Sequence, residues 1–440
     1  AMGVMGLWAA LAIVAAAGAA FLLHRAGLKE AQVLNRQVFV MRHCVRSTTL
    51  KVKRASPAFT DVQSYSNEPL PAWGVPEKMC TAGGLEIIRG TAADLLKRYG
   101  VHAPLTIITD TSVRDVDTAL ALQEVFGPKA GEVLYDAHAF DSLKPDDGSK
   151  PLCAPMFSDK DVAATVRKRL SEVPMPADLP STLSRMQTFI GVGDAGPLTD
   201  LPMPFVTREG DLAGATSVLR IFAQNMLYAY SSGLYYIFPP LPTEIYDLIA
   251  WQHWHRSVAA VNVLKATENA PLLHDLLKAL NPTYTTHEAA SGHDPIGATQ
   301  SSGSKNVSMS GNFSTFYIGH DGNLDGLAAL LDLEWDAPPY KGGRLLPTPP
   351  GSGLRFVFER QRGPRAMEVV RVSFVYPVLI DPESGARNAS GILEEVPLLS
   401  LPWDQFVSRA WRGLQSHVGA AECFRRRANV PATQTSKLTR

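Results

Sequence analysis

Two short apolar runs, far apart along the chain, each stop at a cluster of ionisable side chains, and together they limit the fold. Val38-Phe39-Val40-Met41 is β-branched and aromatic and is followed at once by Arg42-His43, while Phe313 to Ile318 runs straight into Gly319-His320-Asp321. Runs of this length and type are buried strands. A third, Leu105 to Ile108, ends near Thr109-Asp110. Polar groups thus appear where each strand stops.

Helical periodicity fills the intervals. Behind Thr81-Ala82-Gly83-Gly84, the residues Ile87, Ile88, Leu95, Leu96 and Tyr99 share one face of a helix from Leu85 to Tyr99, and Val116 to Phe126 reads as another. This β, α, β, α order predicts an α/β fold: a mostly parallel sheet flanked by helices. From about Pro145 to Thr285 the pattern becomes helical and broken by prolines, with helices expected over Thr243 to Leu264 and, after Pro271 in a first turn, on to Leu280. Thr286 to Asn312, rich in Ser, Gly and Asn, reads as a long surface loop. The β-then-α order then resumes, with a helix from Leu324 to Leu331. Leu354 to Arg360 and Val369 to Tyr376 alternate as antiparallel neighbours across a turn from Gln361 to Arg365. The expected division is α/β over 33–144, a mainly helical inserted domain over 145–285, α/β again over 286–424, and a frayed basic tail over 425–440. No internal repeat is present.

With 42 Lys and Arg against 42 Asp and Glu in 440 residues, the chain carries no net field to hold a polyanion, so nucleic acid is not an expected partner. Hydrophobic residues at 45% with 19% charged exclude a mostly disordered chain or a polytopic membrane protein. One segment departs from this: Val4 to Leu23 holds 20 residues without a charge. It is long enough to cross a bilayer of ~30 Å, and its small residues near Ala17-Gly18-Ala19 resemble a signal-peptidase site, so residues 1–32 read as a cleaved signal or a membrane anchor. Cys44, Cys80, Cys153 and Cys423 lack the close spacing of a zinc site and permit three full pairings. With Asn-x-Ser triplets at Asn306, Asn312 and Asn388, they fit an oxidising, secretory route.

In an open α/β sheet, ligands bind in the crevice outside the carboxyl ends of the strands. The strand ends would bring together there Arg42, His43 and Arg46, then Arg114, then His320 and Asp321. Taken singly, each is as readily a solvated side chain; Arg114 could pair with Asp110, Asp115 or Asp117. The combination and order of Arg42-His43-Cys44-Val45-Arg46, Asp110 to Arg114 and Gly319-His320-Asp321-Gly322-Asn323-Leu324, with Gly83-Gly84 and Phe356-Val357-Phe358-Glu359-Arg360, resemble the histidine acid phosphatases, most closely the bacterial phytase branch, from about Gln37 to Cys423.

The resemblance implies a role for each matching position. His43 would be the nucleophile that forms a phosphohistidine, and Asp321 would protonate the leaving alcohol. Arg42, Arg46, Arg114 and His320 would hold the phosphoryl oxygens. Guanidinium forks match those oxygens and stay charged at any relevant pH, and the reaction needs no metal or other cofactor. Ser47 and Thr49, in the loop from Ser47 to Lys51, would contact the rest of a small phosphomonoester substrate. Activity should fall as pH rises and Asp321 ionises. The resemblance also implies a Cys153–Cys423 disulfide.

The sequence departs from the family pattern at Cys44, where the family has Gly, and at Thr48, Ala82, Gly322 and Leu50, the last in place of a lysine that helps to bind phytate. Cys44 either crowds the catalytic loop or pairs with Cys80. If it spoils the loop, the chain is a pseudophosphatase that binds phosphorylated ligands without turnover; a phosphoryl mutase is a further alternative. Gly292-His293-Asp294 repeats the active-site tripeptide but has no strand before it. His253 and His255, two apart on a helix, face different ways and read as satisfied helix histidines.

Overall fold

A computed structural model describes residues 34–48, 61–101, 103–143, 145, 147–153, 157–234, 242–259, 262–284, 312–360, 367–430 and 436–437. The first expected strand is β1, Leu34–Arg42, and it precedes α1, Ala82–Tyr99, which opens earlier than its apolar face suggests. Thr81 sets that start: its hydroxyl accepts from the Gly84 amide at 3.0 Å. Next come β2, Leu105–Thr109, α2, Val113–Phe126, β3, Ala130–Tyr135, and the single turn α3, Ala137–Phe140.

The middle of the chain is helical, as its periodicity predicts: α4, Asp159–Glu172, and α5, Leu179–Ile190, then the two-residue strands β4, Phe205–Val206, and β5, Leu212–Ala213. After them come α6, Ala215–Ser231, α7, Pro242–Ala259, α8, Asn262–Glu268, and α9, Ala270–Leu280, which has its proline in the first turn. The helix expected from Thr243 to Leu264 is described up to Ala259 and again from Asn262, with residues 260 and 261 outside the described residues. The Ser/Gly-rich loop, with Gly292-His293-Asp294, and the apolar segment from Val4 to Leu23 lie outside the described residues. No helix among the described residues is long and apolar enough to cross a membrane.

The α/β part resumes with β6, Phe313–Gly319, and α10, Asp321–Leu331. A small hairpin follows, β7, Trp335–Ala337, with β8, Tyr340–Gly343. Then come β9, Gly353–Arg360, β10, Glu368–Pro377, β11, Leu393–Pro402, α11, Trp403–Ser416, α12, Ala420–Ala428, and β12, Ser436–Lys437. The main sheet has the order β11-β10-β9-β1-β6-β2-β3-β12. Its centre, β1-β6-β2-β3, is parallel, and β9 and β10 pair antiparallel as expected. Because β6 inserts between β1 and β2, strands from both sides of the helical block end side by side, with Arg42 opposite Gly319 and Thr109 opposite Ile318.

Helices cover both faces of the sheet's centre. On one, Phe39 stacks on Phe316 above Ile88, Leu95 and Leu122 of α1 and α2. On the other, Val38, Val40 and Tyr317 join a larger core that continues through α6, α7 and α9. The basic tail expected to fray from residue 425 does not do so at its start: Arg425 to Arg427 belong to α12, and Arg427 forms ion pairs with Asp136 and Asp275.

Candidate active site

The first residue past β1 is still clamped. The His43 amide donates to the Gly319 carbonyl at 2.9 Å, and its own carbonyl accepts from Gly351 at 3.2 Å. Its Nδ1 lies 2.8 Å from the Cys44 carbonyl, which only a protonated Nδ1 can use, so the lone pair is left on Nε2. Burial, then the charges of Arg114 and Arg42, push the pKa of His43 well below its ordinary value. The ring is therefore neutral in acid and carries a free lone pair.

Three of the guanidinium groups that the motifs mark surround it. Arg42 is buried, donates to the Thr348 carbonyl and, at 2.8 Å, to the Tyr228 hydroxyl, and lies 3.1 Å from Asp321. Arg46 donates to the Ser47 carbonyl at 2.8 Å. Arg114 comes from the first turn of α2 and is tied to the His43 loop through Thr118, whose hydroxyl accepts from the Cys44 amide at 2.9 Å and donates to the Arg114 carbonyl at 2.7 Å. The Nε atoms of Arg42 and Arg46 are buried without a hydrogen-bond partner among the described residues.

His320 carries the opposite charge state to His43. Its Nε2 is 2.9 Å from Asp110 and its Nδ1 3.4 Å from Asp115, two carboxylates with no exposed surface. Burial alone would lower its pKa, but Asp115 and Asp110 raise it, so the ring is held as an imidazolium. Arg114 Nη2 sits 3.1 and 3.2 Å from the two ring nitrogens, which makes it a neighbour stacked on the ring, since neither cation can accept a proton. The two imidazole rings meet edge to face at 5.6 Å. The cluster that the sequence allows around Arg114 is corrected in one respect, its solvation: Arg114 Nε does lie 4.0 Å from Asp115, but Asp110 and Asp115 are buried and also face His320.

Asp321 opens α10, where the helix N-terminus favours a carboxylate, and accepts from the Gly322 amide at 3.0 Å. Burial would raise its pKa, but Arg42 and then Arg256 hold it far below the carboxylate range. The carboxylate form of Asp321 is thereby favoured.

A cavity of about 360 Å³ opens here. The strand ends contribute Arg42, His43, Arg46, Arg114, His320 and Asp321, so all six side chains singled out from the motifs line one pocket. The helical block adds Arg220, Gln224, Gln252, His255 and Arg256, none of which sequence reasoning found. His255, read as a satisfied helix histidine, lies 3.3 Å from the Ser217 hydroxyl and also faces this pocket. Ser47 does not: it is buried and its hydroxyl donates to the Pro76 carbonyl. Thr49 lies outside the described residues.

Cys44 pairs with Cys80, and Cys153 with Cys423. The Cys44 side chain therefore packs into the core beneath the sheet's edge and is not among the groups lining the pocket. Two sets of donors lie close enough to share a metal ion, His43 with Asp115 and His320, and Asp110 with Asp141 and His320. Both require His320, whose nitrogens already face Asp110 and Asp115, and Arg114 would stand beside the ion as a like charge.

No family model matches the chain, and no curated protein matches it in sequence. Solved structures do. The apo phytase of Hafnia alvei superposes with a TM-score of 0.66 at 17% identity, over 91% of this chain and 99% of that one. The phytase of Citrobacter braakii gives 0.65 at 20% identity, over 89% and 99%, and that of Klebsiella sp. ASR1 gives 0.62 at 15%, over 92% and 99%. These neighbours are histidine acid phosphatases, the family that the motifs resemble. The chain has the α/β fold of the bacterial phytases, with its charged strand ends gathered into one pocket.

Proposed function

We propose that this chain is a histidine acid phosphatase that hydrolyses small phosphomonoesters through a phosphohistidine on His43. The observation that carries the reading is the pairing of a neutral His43, its lone pair on Nε2, with Arg42, Arg46, Arg114 and an imidazolium at His320 around one cavity. In transfer, phosphoryl charge spreads over oxygens that these cations can hold, and such positioned charge is commonly the largest catalytic contribution. Nε2 forms the P–N bond as the ester P–O bond breaks, and the leaving oxygen takes a proton through Asp321. Water then attacks the phosphohistidine, giving its proton back to Asp321. None of these steps is routed through a metal.

Supporting a polyphosphorylated substrate, the Hafnia alvei phytase has been solved with myo-inositol hexakis sulphate, and here Arg220 and Arg256 add positive charge beside the phosphate clamp. Two disulfides fit an oxidising compartment of the secretory kind. The burial of Cys44 in one of them favours turnover over the pseudophosphatase alternative, because its side chain does not crowd the pocket.

The test is hydrolysis of p-nitrophenyl phosphate at acidic pH by the wild type and by His43→Ala. Loss of the nucleophile should lower kcat by at least about a thousandfold. A wild type no faster than the variant, while orthophosphate still binds, makes the protein a phosphate binder instead. Acid quenching with labelled substrate should trap phosphate on the wild type alone.

A further inference from the structure

Arg256 belongs to none of the motifs, yet it is fixed against the group that must handle the leaving-group proton. It stands on α7, in the helical block. Its Nε is 3.0 Å from Asp325, two of its nitrogens donate to the Thr348 hydroxyl and the Leu346 carbonyl, and Nη1 lies 3.7 Å from Asp321. Asp325 follows Asp321 by one turn of α10, so the two carboxylates share a face and Arg256 bridges them. Three anchors besides Asp321 leave this guanidinium little freedom to turn elsewhere.

We propose that Arg256 is a positioning residue that fixes Asp321 beside the leaving oxygen and governs the proton that Asp321 gives to the leaving alcohol once substrate is bound. The proposal rests on the phosphatase reading. The charged and titratable groups facing Asp321 are Arg42, His43 and Arg46 beyond β1, Arg220 on α6, and His253 and Arg256 on α7. Lys265 on α8, with His320 and Asp325 beside Asp321 itself, completes the set. Cations dominate. A bound phosphoryl group draws Arg42 into sharing its charge with new oxygens. Arg256, held by Asp325, Thr348 and Leu346, stays on Asp321 and governs how readily it then takes a proton.

The step balances. With substrate bound and Arg42 shared with its oxygens, Asp321 takes one proton from solvent, and the Nε2 lone pair of His43 approaches phosphorus. The ester P–O bond breaks, its electron pair stays on the leaving oxygen, and that oxygen takes the proton from Asp321. Asp321 ends as a carboxylate, ready to accept the proton of the attacking water, and phosphate is left on His43.

The experiment compares an alkyl ester, glycerol phosphate, with p-nitrophenyl phosphate, whose leaving group needs far less help from a proton. For Arg256→Gln, the alkaline limb of kcat on glycerol phosphate should move up by about 1 to 3 pH units, because an opposite charge within ~4 to 6 Å shifts a carboxyl by that much. The limb for p-nitrophenyl phosphate should stay where the wild type has it, and Arg256→Lys should restore the wild-type limb for glycerol phosphate. A limb that does not move, or equal losses on both esters with no movement, overturns the proposal. Should Arg256→Gln fail to fold, Asp325→Asn reads the same bridge with the opposite sign: removing a like charge moves the limb down, and no movement again overturns it. A carboxyl titration by carbon-13 NMR, with Asp321→Asn to assign the signal, needs no turnover. Asp321 should remain ionised throughout the folded range of the wild type and titrate within it in Arg256→Gln. If the wild type hydrolyses neither ester the phosphatase reading fails, and this titration still decides what Arg256 does.

Discussion

Two histidines edge to face in one pocket are driven to opposite charge states, and the division follows from what each ring can touch. His43 has a carbonyl on Nδ1 and guanidinium groups around it, so burial and like charge expel its proton. His320 has a buried carboxylate on each nitrogen, so it keeps both protons. The Asp115 carboxylate does most to raise its pKa. In Asp115→Asn the His320 pKa should fall toward its ordinary ~6.5, and a group with a raised pKa keeps its charge below that pKa and loses it as pH rises. Orthophosphate inhibition should therefore weaken by about tenfold or more near pH 7, the worth of a charge-assisted hydrogen bond, and change little near pH 5. Equal weakening at both pH values would mean that Asp115 only shapes the loop. Arg42, His43, Arg46, Arg114, His320 and Asp321 were legible because each follows a strand end or an adjoining helix start. Arg220 and Arg256 were not, since a charged residue on a helix of the inserted block reads locally as a solvated one and is turned into the pocket only by tertiary packing.

At the level of elements, the catalytic loop is held by the start of α1. Thr81 caps that helix and donates its amide to the Val45 carbonyl at 3.1 Å, and a Cβ on Gly84 would overlap the same carbonyl oxygen. Gly84 is thus a close-approach glycine, and the Gly83-Gly84 pair was readable as a helix start without revealing what it packs against. Gly84→Ala should cost about 1 to 3 kcal/mol of stability by overpacking. It should also weaken orthophosphate binding, because the shifted backbone carries Arg46; urea unfolding with phosphate titration measures both, and intact binding would detach the helix start from the site. Of the central strands, β1, β2 and β6 were legible as unbroken apolar runs, and β3 was not. The strand β11 was missed because Pro397 and Pro402 argue against a strand, and it tolerates them as an outer strand of the sheet, where one side of the backbone needs no partner.

Across the whole molecule, the end of the chain is fastened to both ends of the helical block and to the strand that precedes it. Cys423 is bonded to Cys153, and in the next turn of α12 Arg427 reaches both Asp136, just past β3, and Asp275 on α9. A run of arginines near a terminus looks solvated in sequence because the acids that answer it lie far away along the chain. Here the Arg427 side chain is only 11% exposed, and its two carboxylates are 7% and 16% exposed. Removing one partner from a buried pair leaves an uncompensated charge, so Arg427→Met should destabilise the protein by about 3 to 5 kcal/mol near neutral pH. The pH dependence has a definite sign. Burial would raise the pKa of Asp275, but a hydrogen bond from His274 and the charge of Arg427 bring it below its ordinary value. A carboxyl depressed in the folded state contributes stability above its unfolded pKa of ~3.9, and that contribution is lost as pH falls through the lower folded value. In Arg427→Met the depression weakens and part of that contribution vanishes. The gap between wild type and variant, measured by urea unfolding, should then be widest near neutral pH and narrow below about pH 4 as the Asp275 carboxyl protonates. A gap that stays constant into acid would mean that Arg427 stabilises α12 by packing its methylenes and not by its charge.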